Sequence, residues 1–223
     1  MSSAFKELFK INILKTIYFN LHYLPLRDAI KLPFLIYRRT KLCVMKGNIH
    51  FETPIKTGIV KFGSQNIGTQ DKRYSRTIWE VRGDVHIKGK TKIGRGCKIC
   101  VGNEGNLTFG SGFSCTGDTQ IVCFKEISFG NNCLLSWNIL MMDTDFHDIR
   151  NREGEKINNN KPISIGNHVW IGCRSTILKG VSIGDNNIIS ASSTITRSIE
   201  EHNCIIGGNG KHLDILKRDI EWG

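Results

Sequence analysis

Residues 141–161, MMDTDFHDIRNREGEKINNNK, hold the densest set of groups able to move a proton. His147 stands at its centre. An imidazole titrates near neutral pH, so it can take a proton from a hydroxyl and return it within one turnover. Asp143 and Asp145 alternate with His147, and on an extended segment residues two apart share a face. A carboxylate placed there can orient the imidazole or bind acceptor hydroxyls. The plainer alternatives are that Asp143–Thr144–Asp145 shapes a turn and that His147 is a tucked-in structural histidine. The segment is polar where its surroundings are apolar, so residues 147–161 read as a loop thrown out from a scaffold, where functional side chains gather.

Eight cysteines in 223 residues are too sparse for a disulfide scaffold. They read as small apolar fillers in a reducing cytosol. Cys97 and Cys100 form a lone CxxC pair, and a zinc site would need a second pair or histidines at suitable spacing. None follows, so no metal is expected. A zinc hydratase would need three converging histidines, and residues 148–161 contain none.

The element that must position His147 shows itself as a repeat. Residues 162–197 divide into PISIGN, HVWIGC, RSTILK, GVSIGD, NNIISA and SSTITR. The fourth residue of every block is isoleucine: Ile165, Ile171, Ile177, Ile183, Ile189 and Ile195. A helix repeats its apolar positions every ~3.6 residues and an open strand every ~2, so a period of six means short strands separated by regular turns. Each strand sends one aliphatic side chain inward, and stacked coils bury a continuous ladder. Gly166, Gly172 and Gly184 follow the isoleucine, which suggests a turn conformation closed to residues with a Cβ. The phase recurs at Ile87, Ile93 and Ile99, and at Phe129, Leu135 and Met141. Between these sets it slips, with Phe109, Cys115 and Ile121 shifted by a small inserted loop. Echoes at Ile59–Gly63 and Ile67–Gly68 put the first coils near residue 47. His147 continues the series ending at Met141, but a ladder running through Asp143 and Asp145 would bury charge at high cost, so His147 should turn outward. Periodicity predicts an all-β parallel β-helix, not its handedness.

The stretch PISIGNHVWIGCRSTILKGVSIGDNNIISASSTITRSI, preceded by DTDFH and a polar loop, resembles the left-handed β-helix, hexapeptide-repeat acyltransferases. It is similar among them to galactoside and maltose O-acetyltransferases and to acetyltransferases of capsule and O-antigen gene clusters. The resemblance covers about residues 80–211. It implies a homotrimer with active sites at subunit interfaces, acetyl-coenzyme A as co-substrate, a sugar or glycan acceptor, and His147 as general base for direct acetyl transfer, so that no cysteine need be a nucleophile. It places Trp170 against the donor or acceptor, where the alternative is an interface aromatic. It makes the backbone N–H of Cys173 an oxyanion donor, lets coenzyme A approach closely at Ala191, and assigns its phosphates to Thr196, Arg197 and Lys211. Relatives carry Lys at the Arg197 position, and the Gly-x-Pro-Ala-Lys run found in relatives reads Gly208–Asn209–Gly210–Lys211–His212 here, without its proline. The Asn that galactoside-type enzymes set opposite the histidine is missing from Cys115–Thr116–Gly117–Asp118–Thr119, and Asp118 is the substitute on offer.

The division expected is an N-terminal helical, basic and amphipathic extension over 1–46, the β-helix over 47–212, and a C-terminal tail or short helix over 213–223. Residues 1–46 carry nine Lys or Arg against two acids, out of a net charge of +11. Leu8, Phe9, Ile11, Ile13, Leu14, Ile17, Tyr18 and Phe19 fall largely on one helical face, with Lys6, Lys10 and Lys15 on another, and Pro25 and Pro33 should break the helix. This extension either caps the open end of the β-helix or touches the inner membrane surface. No secretory signal is read at the start, and no uncharged run is long enough to span a bilayer. The chain is therefore placed in the cytoplasm, with possible peripheral membrane contact. Nucleic-acid binding is not expected, because basic residues do not interleave with aromatics along the repeats. The competing functions are N-acetylation of an amino nucleotide-sugar, antibiotic acetylation and a non-catalytic trimeric scaffold.

Overall fold

A computed structural model describes residue 7 and residues 9–64, 67–71 and 73–223. Lys6 and Leu8 lie outside the described residues. The chain winds as a left-handed parallel β-helix whose strands stack into three faces of a prism. The first face runs from Phe34–Ile36 through Val60–Phe62, Thr91–Arg95, Phe113–Gly117, Leu134–Trp137, Trp170–Ile171 and Ile188–Ile189 to Ile205–Asn209. The second runs from Thr40–Met45 through Thr77–Val81, Lys98–Val101, Gln120–Cys123, Leu140–Met142 and Thr176–Leu178 to Thr194–Ile195. The third runs from Asn48–Phe51 through Asp84–Ile87, Asn106–Phe109, Glu126–Phe129 and Ile163–Ile165 to Ser182–Ile183.

The ladders pair in register. Ile93 lies beside Cys115, then Leu135, Ile171 and Ile189. Ile99 lies beside Ile121, Met141, Ile177 and Ile195. Phe109, Phe129, Ile165 and Ile183 complete the third wall. All six repeat isoleucines are buried, and fully burying such a side chain stabilises the fold by roughly 1.5–3 kcal/mol. The shifted set Phe109, Cys115 and Ile121 is in the same ladder, because the slip is absorbed at the corner between Lys98–Val101 and Asn106–Phe109.

The glycines act for a different reason from the one expected. Gly166, Gly172 and Gly184 are not in the left-handed region; two residues further on, His168, Arg174 and Asn186 are, with φ of 54°, 60° and 59°. What excludes a side chain is the next coil. A Cβ on Gly172 would sit 2.6 Å from the Ala191 nitrogen and 2.7 Å from the Ile189 oxygen.

Both ends differ from the predicted boundaries. The β-helix begins at Phe34, inside the segment assigned to the extension, because Phe34 and Ile36 turn inward beside Val60 and Phe62. The charged turn Arg38–Arg39 hid that alternation. Inward residues near the first echo are Val60 and Phe62 rather than Ile59, and Ile67–Gly68 lies in a connecting loop. At the other end no helix forms over 213–223. His212–Lys217 pairs antiparallel with Ile205–Asn209, turning at Gly210 (φ 60°).

Among the described residues two helices, Ile13–Tyr23 and Leu26–Ala29, lead into the first coil. Helix α1 (Ile13–Tyr23) is capped by Asn12, whose Oδ1 accepts from the Lys15 N–H at 2.9 Å, and it ends before Pro25. Helix α2 (Leu26–Ala29) follows directly. Pro33 breaks neither helix and instead leads into the first strand. The inward face of α1 supplies the hydrogen bonds a neighbouring strand would. Asn20 accepts from the Phe34 N–H at 3.0 Å and donates to the Phe34 carbonyl at 2.9 Å, and Thr16 Oγ1 accepts from the Ile36 N–H at 3.0 Å. Left unpaired, that edge would invite aggregation.

Candidate active site

The polar loop leaves the prism after Leu140–Met142, at the corner between the second and third faces, and rejoins it at Ile163–Ile165. The ladder stops at Met141, which is buried, and His147 is exposed. The loop is a small hairpin. Its strands meet at a bridge between Arg150 and Lys156, and Asp148 takes ion pairs from Lys156 at 2.7 Å and Arg150 at 3.1 Å.

Asn158 ties the base of this hairpin around His147. Its Nδ2 donates to Asp145 Oδ2 and to the His147 carbonyl, each at 2.8 Å, and its Oδ1 accepts from the Ile149 N–H at 2.8 Å. Lys179, from the coil beneath, completes the attachment: its Nζ contacts Asp145 Oδ2 and donates to the Asn158 and Asn159 carbonyls at 3.1 and 3.3 Å. The hydrogen bond from Lys179, followed by that from Asn158, holds the Asp145 carboxyl below the usual carboxylate range. Phe146, between them, has φ 62° and packs edge-on against Phe124. Asp145 thus anchors the loop that carries His147, through its backbone rather than through the imidazole.

Asp143 does not join the exposed group. It is fully buried and accepts hydrogen bonds of 2.7 Å from the N–H groups of Phe124, Lys125 and Glu126. The burial that sequence reasoning judged too costly is offset by three charge-assisted bonds at the corner, so Asp143 is turned away from any acceptor and stays with the fold.

The other predicted residues are spread along the prism. Asp118, Cys173 and Ala191 stand on one edge, between the first and second faces. There Asn138 N–H bonds the Gly117 carbonyl, Arg174 N–H the Trp137 carbonyl and Ser192 N–H the Cys173 carbonyl, at 3.2, 3.0 and 2.8 Å. Asp118 Oδ2 accepts from Gln70 at 2.8 Å and lines a cavity of about 320 Å³ with Tyr74, Arg76 and Lys98. Trp170 lies half-buried on the first face, its Nε1 donating to Ser136 Oγ at 3.0 Å. Trp222, from the C-terminal segment, stacks on His168 at 4.0 Å and stands 5.9 Å from Trp170. Thr196 and Arg197 are exposed on the second-to-third-face edge, below the loop. The terminal hairpin comes to them: Gly210 N–H bonds the Thr194 carbonyl at 2.8 Å, Arg197 bonds the Leu213 carbonyl at 3.1 Å, and Lys211 is exposed beside Gly210. Two cations and a hydroxyl thus stand around this edge.

His147 and the Asp118–Cys173–Ala191 edge therefore occupy different edges of one prism, so a single chain does not bring them together. Sequence reasoning missed Asn158, Lys179 and Trp222. Asn158 is the first of three successive asparagines that nothing in sequence tells apart, Lys179 bonds across 34 residues, and nothing in sequence brings Trp222 to Trp170. The CxxC pair is split: Cys97 is buried 3.4 Å from the Cys115 sulfur, and Cys100 alternates with buried Ile99 and Val101. Burial raises both thiols above the usual range. Among the described residues no group of three or more His, Cys, Asp or Glu is placed to hold a metal ion.

Comparison with known proteins agrees with this architecture. Residues 162–197 match the family described as bacterial transferase hexapeptide (six repeats). The galactoside O-acetyltransferase of Escherichia coli K12 is 36% identical over 97 residues, 42% of this chain and 46% of that protein. The polysialic acid O-acetyltransferase of Neisseria meningitidis is 45% identical over 65 residues, 29% of this chain and 30% of that one. The chain thus spans less than half the length of these curated relatives. The crystallographic structure of the polysialic acid O-acetyltransferase OatWY superposes with a TM-score of 0.56 at 27% identity, over 83% of this chain and 92% of that one. The chain carries bacterial transferase hexapeptide repeats over residues 162–197 on a left-handed β-helix, and it is similar to the galactoside and polysialic acid O-acetyltransferases.

Proposed function

We propose that this chain is an acetyl-coenzyme A-dependent O-acetyltransferase acting on a sugar hydroxyl in bacterial surface polysaccharide synthesis. One observation carries the proposal: an exposed His147 on a loop latched to a rigid β-helix by Asp145, Asn158 and Lys179. The relatives' names support oxygen over nitrogen as the nucleophile, and sugars as acceptors. His147 removes the acceptor hydroxyl's proton and passes it to the departing thiolate. Bound acetyl-coenzyme A supplies a thioester-activated acetyl group. Thr196, Arg197 and Lys211 would hold its phosphates, Trp170 would wall its chain, and Ala191 would allow close approach. The Cys173 N–H is the proposed donor to the carbonyl oxygen. Asp118 is the proposed acceptor ligand. Three chains around one axis would bring the loop edge of one against the Cys173 edge of the next, which is the arrangement the separated residues require. Eight free cysteines, including the unbonded Cys97–Cys115 pair, suit work in the cytoplasm.

The test supplies the purified chain with acetyl-coenzyme A and a panel of hydroxyl and amino acceptors, and follows products by mass. Acetyl esters form, and His147→Ala lowers kcat by about 10²–10⁴ while circular dichroism is unchanged. Full activity in His147→Ala, or products that are only amides, would refute the proposal.

A further inference from the structure

The inward face of α1 closes the strand edge; its outward face has no partner among the described residues. Ile13, Leu14, Ile17, Tyr18 and Leu21 recur with helical spacing and all are exposed, Leu14 to 81%. Leu26 and Ile30 of the α2 segment, one turn apart, are exposed as well. None of these side chains serves the cap, which Thr16, Phe19 and Asn20 provide. So continuous an apolar face on a folded chain marks a surface that something else covers.

Beside this face lies a cleft of about 460 Å³ lined by Lys15, Arg38, Arg39, Lys41 and Arg76, together with Thr40 and Leu42. Lys15 belongs to both features, since it sits on α1 next to Leu14. Among the described residues no acid lines the cleft. Lys15 and Arg39 are held by the carbonyl oxygens of Thr40 and Arg73, which orient the two cations without neutralising them. An apolar helix face flanked by a phosphate-sized cationic cleft matches the order of a bilayer surface, acyl chains beneath and anionic headgroups above.

We infer that α1, α2 and the Lys15–Arg38–Arg39–Lys41–Arg76 cleft form a docking surface for an anionic phospholipid bilayer. A second copy of the chain is disfavoured as occupant, because joining two such faces would oppose their cations. The surface lies at the first coil, at the other end of the chain from the Thr196–Lys211 region, so docking leaves those residues uncovered. The inference does not depend on acetyl transfer.

The experiment is co-sedimentation of the full chain with vesicles of phosphatidylcholine alone or with about a third phosphatidylglycerol. The chain binds the anionic vesicles and not the neutral ones, and binding weakens as salt rises. Leu14→Glu, fully outside the fold's hydrogen bonds, lowers vesicle binding at least tenfold while acetyl transfer to a soluble acceptor persists. Replacing Arg38 and Lys41 by Ser lowers it by about fivefold per cation, as expected for ~1 kcal/mol each near a charged surface. Inorganic phosphate at matched concentration leaves the chain on the vesicles. Equal binding to neutral vesicles, no effect of Leu14→Glu, or release by phosphate would overturn the inference. So would a change in solution mass on Leu14→Glu with vesicle binding intact, which would assign the face to contact between copies.

Discussion

Two aspartates two residues apart have opposite tasks. Asp145 works on the loop, and its carboxyl is held low by Lys179 and then Asn158. A group whose folded value is depressed contributes stability above its unfolded value and loses it as pH falls through the folded one. The attachment of the loop therefore persists through the ordinary carboxylate range and fails only in stronger acid. Lys179→Met should return the Asp145 titration toward the usual range, read by carbon NMR of the carboxyl. It should also lower kcat about tenfold or more, because a misplaced base costs rate even where the fold holds. Unchanged titration would mean that the contact is not formed in solution. Asp143 works on the fold. Asp143→Ala removes three charge-assisted hydrogen bonds at a part-buried corner where water can replace some of them, so the chain should be destabilised by about 1.5–3 kcal/mol. A urea midpoint equal to that of the unaltered chain would contradict this role.

At the scale of elements, stability depends on how closely coils approach and how their ends are finished. Gly94 has no positive φ, yet a Cβ there would lie 1.8 Å from the Thr116 carbonyl oxygen, a backbone atom that cannot swing aside. Gly94→Ala should cost about 1–3 kcal/mol by overpacking, whereas Gly68→Ala, with nothing within 4 Å, should be near neutral; equal urea midpoints for the two would sink the stacking argument. Asn20→Ala should leave the Phe34 edge unpaired and raise aggregation, measured by light scattering on warming. Much of this was legible in advance. Isoleucine at every sixth position fixed the strand phase from Ile165 to Ile195 without any pairing information. What escaped was decided by contacts distant in sequence. The glycines look like turn residues until the next coil is in view, and Phe34–Ile36 looks like the end of a helical segment until Val60 and Phe62 pair with it. His147 could be singled out because its chemistry is local. Asn158 and Lys179 were not, because their partners are reached only through the hairpin and the coil below.

At the scale of the molecule, the separation of candidate residues onto different edges becomes an argument about assembly. A site made from His147 of one copy and Trp170 of its neighbour requires that His147→Ala and Trp170→Ala chains complement each other. Each homogeneous variant should be strongly impaired. Co-expressed in equal amounts and assorting at random around a closed cyclic ring, they should form pairs in which one chain supplies an intact His147 and the next an intact Trp170, restoring about a quarter of the sites. Mixing the two after separate assembly should restore nothing until subunits exchange. If both residues instead acted within one chain, every chain of the mixture would carry a lesion and no activity would return, however the copies were arranged. A solution mass equal to one 25.2 kDa chain would also exclude the shared site, because the Asp118–Cys173–Ala191 edge would then have no loop to face.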